Sequence, residues 1–174
     1  MSDDRSTRYQ EIIAAARELL ERGGADALTM RAVAEALGIK APSLYKHLPH
    51  KESLELALVV DGFAEAASAF EAAAVGASDQ LAAFARAYRI FATGHPHLYR
   101  LMTERPLPRE SMPPGLEERT AAPLVRATGD PARARAAWAF LHGMTMLELN
   151  QRFPSDGLTE SAWENGIAAF QPAT

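Results

Sequence analysis

The amino-acid sequence predicts an all-α protein, with an N-terminal three-helix domain of helix-turn-helix type followed by a longer helical domain. Three observations carry that expectation. Ala, Leu, Glu and Arg, which cost least in a helix, dominate the segments outside the loops. No segment sustains the alternation of β-branched and polar residues that marks a strand. Apolar residues recur instead at helical spacing, between interruptions rich in Gly, Pro and Ser.

The first helix is expected from about Arg8 to Arg22. Thr7 and Gln10 stand at capping-box spacing before it. Ile12, Ile13, Ala16, Leu19 and Leu20 form its apolar stripe, and Gly23-Gly24 stops it. A short second helix spans about Met30 to Leu37, with Thr29 as N-cap and Gly38 beyond its end. A third spans about Pro42 to Leu48, with proline in its first turn and Pro49 ending it. The fourth runs from about Lys51 to Val75, with Leu54, Leu58, Phe63 and Phe70 on its inner face. Further helices cover about Asp79–Thr93 and Pro96–Thr103. From Arg105 to Gly115 the chain carries Pro106, Pro108, Pro113 and Pro114 and reads as an exposed loop. Helix returns at about Glu117–Ala127, where Pro123 is expected to kink or split it. The last two helices cover about Pro131–Gln151 and Glu160–Phe170. The division that follows is a helix-turn-helix domain at residues 6–52 and a second helical domain at 53–171.

The bulk numbers are those of a globular chain: 174 residues, 48% apolar and 23% charged. Cysteine is absent, which excludes disulfides and thiolate sites. The start, MSDDRSTRYQ, lacks the apolar core of a secretion signal, and no run is long enough to span a bilayer. A cytoplasmic protein without a membrane partner is the expectation. The formal net charge is −4. Its distribution matters more than its sum. From Lys40 to Lys51 the chain carries Lys40, Lys46, Lys51, His47 and His50 and no acid. A cationic island in an acidic chain suits a short surface that meets phosphates.

Two short helices separated by Gly38-Ile39-Lys40 fit a helix-turn-helix. Ala32, Ala34 and Ala36 allow close approach, Gly38 allows a left-handed turn, and Ile39 with Leu44 fills the wedge between the helices. The third helix then turns Ser43, Lys46 and His47 outward, with Tyr45 at its flank. All carry hydrogen-bonding groups that could enter a major groove.

At these residues the resemblance to a family is plain. The stretch Ile12 to Leu58 resembles the DNA-binding domain of TetR-type regulators, through IIAAARELLERGGADALTMRAVAEALGI and KAPSLYKHLPHKESL. The pattern L-Y-x-H, a short turn, then K-E-x-L is specific to that family. The resemblance implies residue roles. Thr29 and Arg31 meet a phosphate at the second helix. Lys40, Pro42 and Ser43 enter the groove. Tyr45 packs on or bonds to the DNA backbone. Lys46 and His47 reach bases or phosphates, unless His47 packs inside the domain. Lys51 clamps a phosphate. Leu48 stands where the family generally has phenylalanine. His50 stands where Ser, Asn or Asp often caps the fourth helix, which implies a weaker, pH-sensitive cap.

The resemblance also implies a C-terminal ligand-binding and dimerisation domain. Members are homodimers on palindromic double-stranded DNA, joined through their last two long helices. AWAFLHGMTMLELN resembles the subtype in which Trp, His and Gly recur, here Trp138, His142 and Gly143. Gly143, Leu147, Trp163, Ile167 and Phe170 are the candidate dimer seam, with core filling as the alternative. A small-molecule effector of unknown class is expected in a pocket. Phe63, Phe91, His95, Tyr99, Met102, Trp138, His142 and Met146 are the candidate lining, or else plain core. No cofactor or metal is expected. The implied function is a repressor released from its operator by that effector.

Two rivals stand beside this reading. One is a ligand-sensing or interaction protein with weak DNA binding, against which the basic island argues. The other is an all-α enzyme. His95, Pro96 and His97 with a distant His142 lack metal-ligand spacing, and nothing places Ser161, His142 and Asp156 together. The chain has no HExxH, no phosphate-cradling glycine loop and no GxSxG. The operator, the effector and the sign of regulation are not legible in the sequence.

Overall fold

The structure is a computed structural model that describes the backbone of residues 2–172 and the surroundings of side chains from residue 7 onward. Among the described residues it is entirely helical: α1 (Ser2–Ala27), α2 (Met30–Ala36), α3 (Ala41–Tyr45), α4 (Lys51–Ala74), α5 (Gln80–Gly94), α6 (Pro96–Thr103), α7 (Leu116–Thr128), α8 (Pro131–Leu149) and α9 (Thr159–Ala168). The chain divides into two compact units that do not follow chain order. The first holds residues 1–62 and 95–113, the second residues 63–94 and 114–174. The helix α4 passes from one into the other.

In the first unit the apolar stripe of α1 is buried as its periodicity requires: Ile12 and Ala16 have no exposed surface and Leu20 almost none. Leu28, Val33, Leu44, Leu54, Leu58 and Leu98 complete that core. Such side chains supply most of the stability, at about 1.5–3 kcal/mol each. Helix α6 is seated against α1. The carboxylate of Glu21 accepts the backbone N–H groups of His97 and Leu98, at 3.3 and 2.9 Å. These donors lack partners within their own helix, so Glu21 from α1 caps α6. A Cβ on Gly62 would meet Met102 and Leu98, so glycine there lets α6 lie close to α4.

In the second unit Phe70 of α4 packs with Phe84, Tyr88 and Phe91 of α5 at centroid distances of 4.7, 5.8 and 6.2 Å. Arg89 of α5 joins two more helices. It donates from Nε to Glu148 of α8 at 2.9 Å and from Nη2 to Glu160 at 2.7 Å, while its guanidinium lies 5.1 Å from the Trp163 ring centroid. The two carboxylates hold the guanidinium even more firmly in its charged form. Phe140 of α8 occupies the space that a Cβ on Gly166 of α9 would need.

Five expectations about elements need correction. Helix α1 begins at Ser2, six residues before Arg8, so Thr7 lies inside it and the Thr7–Gln10 capping box does not form. Upstream of Thr7 no Pro or Gly stops the helix. The glycine stop is real but incomplete: Gly24 leaves helical geometry at φ 69°, and one more turn follows. Helix α3 ends at Tyr45 rather than Leu48: the His47 and Leu48 N–H groups both donate to the Leu44 carbonyl, and Pro49 has no N–H to continue the ladder at Tyr45. The Arg105–Gly115 segment contains a 3₁₀ turn, Arg109–Ser111. Helix α7 runs unbroken through Pro123, which is buried.

Candidate DNA-reading surface

The surface is built on α2, the turn and α3. Thr29 caps α2 by accepting the Ala32 N–H at 3.1 Å. A hydroxyl that accepts there keeps its own O–H for an outside acceptor. Gly38 turns the chain at φ +64°, a left-handed conformation that side chains resist. Helix α3 then separates its faces cleanly. Leu44 is fully buried, while Pro42, Ser43, Tyr45 and Lys46 are exposed and His47 is half-buried. The expected outward face is therefore outward. Lys40 is exposed just before α3. Arg31 is exposed, with its Nε donating to Glu35 at 2.8 Å.

At the start of α4, His50 does cap the helix. Its Nδ1 accepts the Ser53 N–H at 3.2 Å, and the Ser53 hydroxyl donates back to the His50 carbonyl at 2.6 Å. The imidazole serves only while Nδ1 is unprotonated. Lys51 is tied more closely than its sequence position suggests. Its ammonium donates to the Ala25 carbonyl at 3.3 Å and lies 3.6 Å from the Glu55 carboxylate.

The C-terminal candidates separate by surroundings. Of the expected pocket residues, His95, Tyr99 and Met102 belong to the first unit and Phe63, Phe91, Trp138, His142 and Met146 to the second. Phe91 and Tyr99 are buried, and Phe63, His95, Met102, His142 and Met146 are half-buried. Trp138 is 50% exposed. It sits at the edge of the inward row Ala134, Ala137, Leu141 and Thr145 of α8, one turn after Ala134, and its ring lies 6.2 Å from that of His142. The other half of its surface is covered within the protomer. Trp163, expected at a dimer seam, is buried inside the protomer, edge-on to Phe140. Gly143, Ile167 and Phe170 are half-buried and Leu147 is exposed.

The sequence reading missed Thr145. Its hydroxyl is fully buried with no hydrogen-bond partner among the described residues, as is the Trp163 Nε1. A lone hydroxyl among the apolar residues of α8 was the available signal. It also missed an open groove of about 530 Å³ between α4 and α7, whose lining includes Ser68, Glu71, Arg119 and Arg126 but none of the expected pocket residues. No described cluster of His, Cys, Asp or Glu is suited to a metal ion, and no described helix is long and apolar enough to cross a membrane.

An outward polar helix held by a capped partner and a glycine turn defines a helix-turn-helix transcriptional regulator. Comparisons with known proteins agree. Residues 12–58 match the family described as bacterial regulatory proteins, tetR family, and residues 81–170 match the tetracyclin repressor-like C-terminal domain. The chain belongs to the TetR family, whose members are transcriptional regulators and not enzymes. It is 32% identical over 151 residues to the uncharacterized HTH-type transcriptional regulator Rv0681 of Mycobacterium tuberculosis, which covers 80% of this chain and 69% of that protein. It spans about half the length of further mycobacterial HTH-type regulators that it matches. Among solved structures, the regulatory protein SCO4313 superposes with a TM-score of 0.78 at 27% identity, over 98% of both chains. The multidrug binding protein EbrR, complexed with imidazole, gives 0.68 at 27% identity, over 97% of this chain and 92% of that one.

Proposed function

We propose that the protein is a homodimeric repressor that reads a palindromic operator through paired α3 helices and is released by a small organic effector bound in its C-terminal part. The carrying observation is the division of α3, with Leu44 in the core and Pro42, Ser43, Tyr45 and Lys46 outside. Ser43, Lys46 and His47 are assigned to base edges or nearby phosphates. Thr29, Arg31, Lys40, Tyr45 and Lys51 are assigned to the DNA backbone, with Pro42 at the groove entrance. The unpartnered Thr145 hydroxyl favours a polar molecule in the interior of the second unit, since a buried donor without a partner is costly. The complex of EbrR with imidazole places a small nitrogenous molecule on a related fold. The outward face of α8, with Ala136, Ala139, Gly143 and Leu147, suits a second copy.

DNA binding measured across a salt series tests the reading. A protein making several phosphate contacts loses decades of affinity over a few-fold rise in salt. Lys51→Ala is expected to weaken binding to every duplex and to lower the salt slope by about one. Weak binding that ignores salt would instead favour the sensing or interaction protein.

A further inference from the structure

We propose that Arg105 sets the strength of the DNA grip by competing with Lys51 for one carboxylate, that of Glu55. The inference rests on Lys51 being a phosphate contact, as assigned above. Glu55 follows Lys51 by one turn of α4. Its side chain is 13% exposed, against 40% for Lys51 and 59% for Arg105, so the anion is the most enclosed of the three. Its Oε2 accepts a hydrogen bond from Arg105 Nη1 at 2.8 Å. Its Oε1 lies 3.6 Å from the Lys51 ammonium, which donates instead to the Ala25 carbonyl.

Two cations therefore share one anion, and the cluster is net positive. With Arg105 in place, the carboxylate is largely satisfied and Lys51 keeps its charge for DNA. Lys followed by Glu four residues later is also the weaker order for a helical pair, so Lys51 is readily given up to a phosphate. Without Arg105 the enclosed carboxylate has Lys51 as its remaining close cation. The pair is then neutral, with the carboxylate end largely shielded from water and the ammonium end partly exposed. Lys51 turns toward Glu55, and the phosphate contact weakens.

Arg105 heads the segment that carries Pro106, Pro108, Pro113 and Pro114, and that segment belongs to the first unit up to residue 113. A displacement of this segment that withdraws Arg105 lowers the charge available at Lys51. The arrangement is a relay from loop to carboxylate to phosphate contact, across fifty positions of sequence between Arg105 and Glu55.

The test is equilibrium binding of the full chain to a mixed-sequence DNA duplex across a salt series, since phosphate contacts need no operator. Arg105→Ala is expected to bind several-fold more weakly, with a salt slope lower by up to about one. Adding Glu55→Gln is expected to restore wild-type binding, and Arg105→Lys to retain most of it. In a Lys51→Ala protein, Arg105→Ala is expected to change nothing further. A loss that persists in both the Glu55→Gln and Lys51→Ala backgrounds makes Arg105 a DNA contact itself and overturns the relay. Wild-type binding by Arg105→Ala, beside weakened binding by Lys51→Ala, overturns it as well. If Lys51→Ala binds normally with a steep salt slope, the relay fails with the Lys51 assignment while DNA binding stands. Thermal unfolding separates these outcomes from misfolding: a lowered midpoint of Arg105→Ala that Glu55→Gln does not restore, together with the binding loss, attributes the effect to the fold and overturns the relay.

Discussion

Leu44 and Ser43 are neighbours with opposite fates, and the contrast states what α3 is for. Leu44 is completely buried, so Leu44→Ala is expected to cost about 2–5 kcal/mol of unfolding free energy in a denaturant titration. Ser43 is exposed, so Ser43→Ala is expected to leave that titration unchanged while altering which duplex is preferred. Reversed outcomes would mean that α3 presents a different face. This level was legible in the sequence where periodicity governs: Leu44, Leu48 and Val33 are buried as their spacing requires. It was not legible where a partner comes from far along the chain. Nothing near Lys51 announces that Ala25 and, through Glu55, Arg105 will share its surroundings. The imidazole cap of His50 was visible as a departure from habit, but its reciprocal bonds with Ser53 were not.

Helices were legible as helices; their ends and neighbours were less so. Pro123 reads as a breaker because local rules see the missing N–H, whereas the packed interior around a buried proline keeps α7 continuous. Pairings such as Arg89 with Glu148 and Glu160 join residues separated by 59 and 71 positions, beyond any local pattern. They do have a measurable signature. Hydrogen bonding from Arg89 holds the Glu160 carboxyl below its ordinary value, and the Ala82 N–H does the same for Asp79. A carboxyl whose affinity for protons falls on folding stabilises the fold above its unfolded value and loses that effect as pH drops through its folded value. The stability difference between wild type and Glu160→Gln is therefore expected near neutrality, is expected to shrink as pH falls through the ordinary carboxyl range, and is expected to vanish only below the carboxyl's lowered folded value. A difference that stays constant across that range would show that Glu160 does not act through its charge.

At the scale of the whole molecule, the all-helical architecture and the family were readable from residues 12–58, while the composition of the two units was not. Sequence order suggests a cut soon after the helix-turn-helix. The compact units instead return α6 and the following loop to the first. The proposed dimer belongs to this scale too. A Cβ on Gly143 meets nothing within 4 Å in the protomer, so Gly143→Leu is expected to fold normally. If α8 packs on its copy at that point, the variant sediments as a monomer at concentrations where wild type is a dimer. Unchanged sedimentation of both as dimers would move the seam elsewhere.

Glu21 clasping the amides of His97 and Leu98 also bears on how the chain is made. The ribosome finishes the helix-turn-helix long before it supplies α6. Until then Leu98 is missing from a core in which it will have no exposed surface, and the carboxylate of Glu21 has no amides to hold. The unit that reads DNA therefore closes late, with material synthesised after the first part of its neighbouring unit. A nascent chain with its recognition helix already translated is still an incomplete reader, and the grip on DNA matures only after α5 and α6 have emerged.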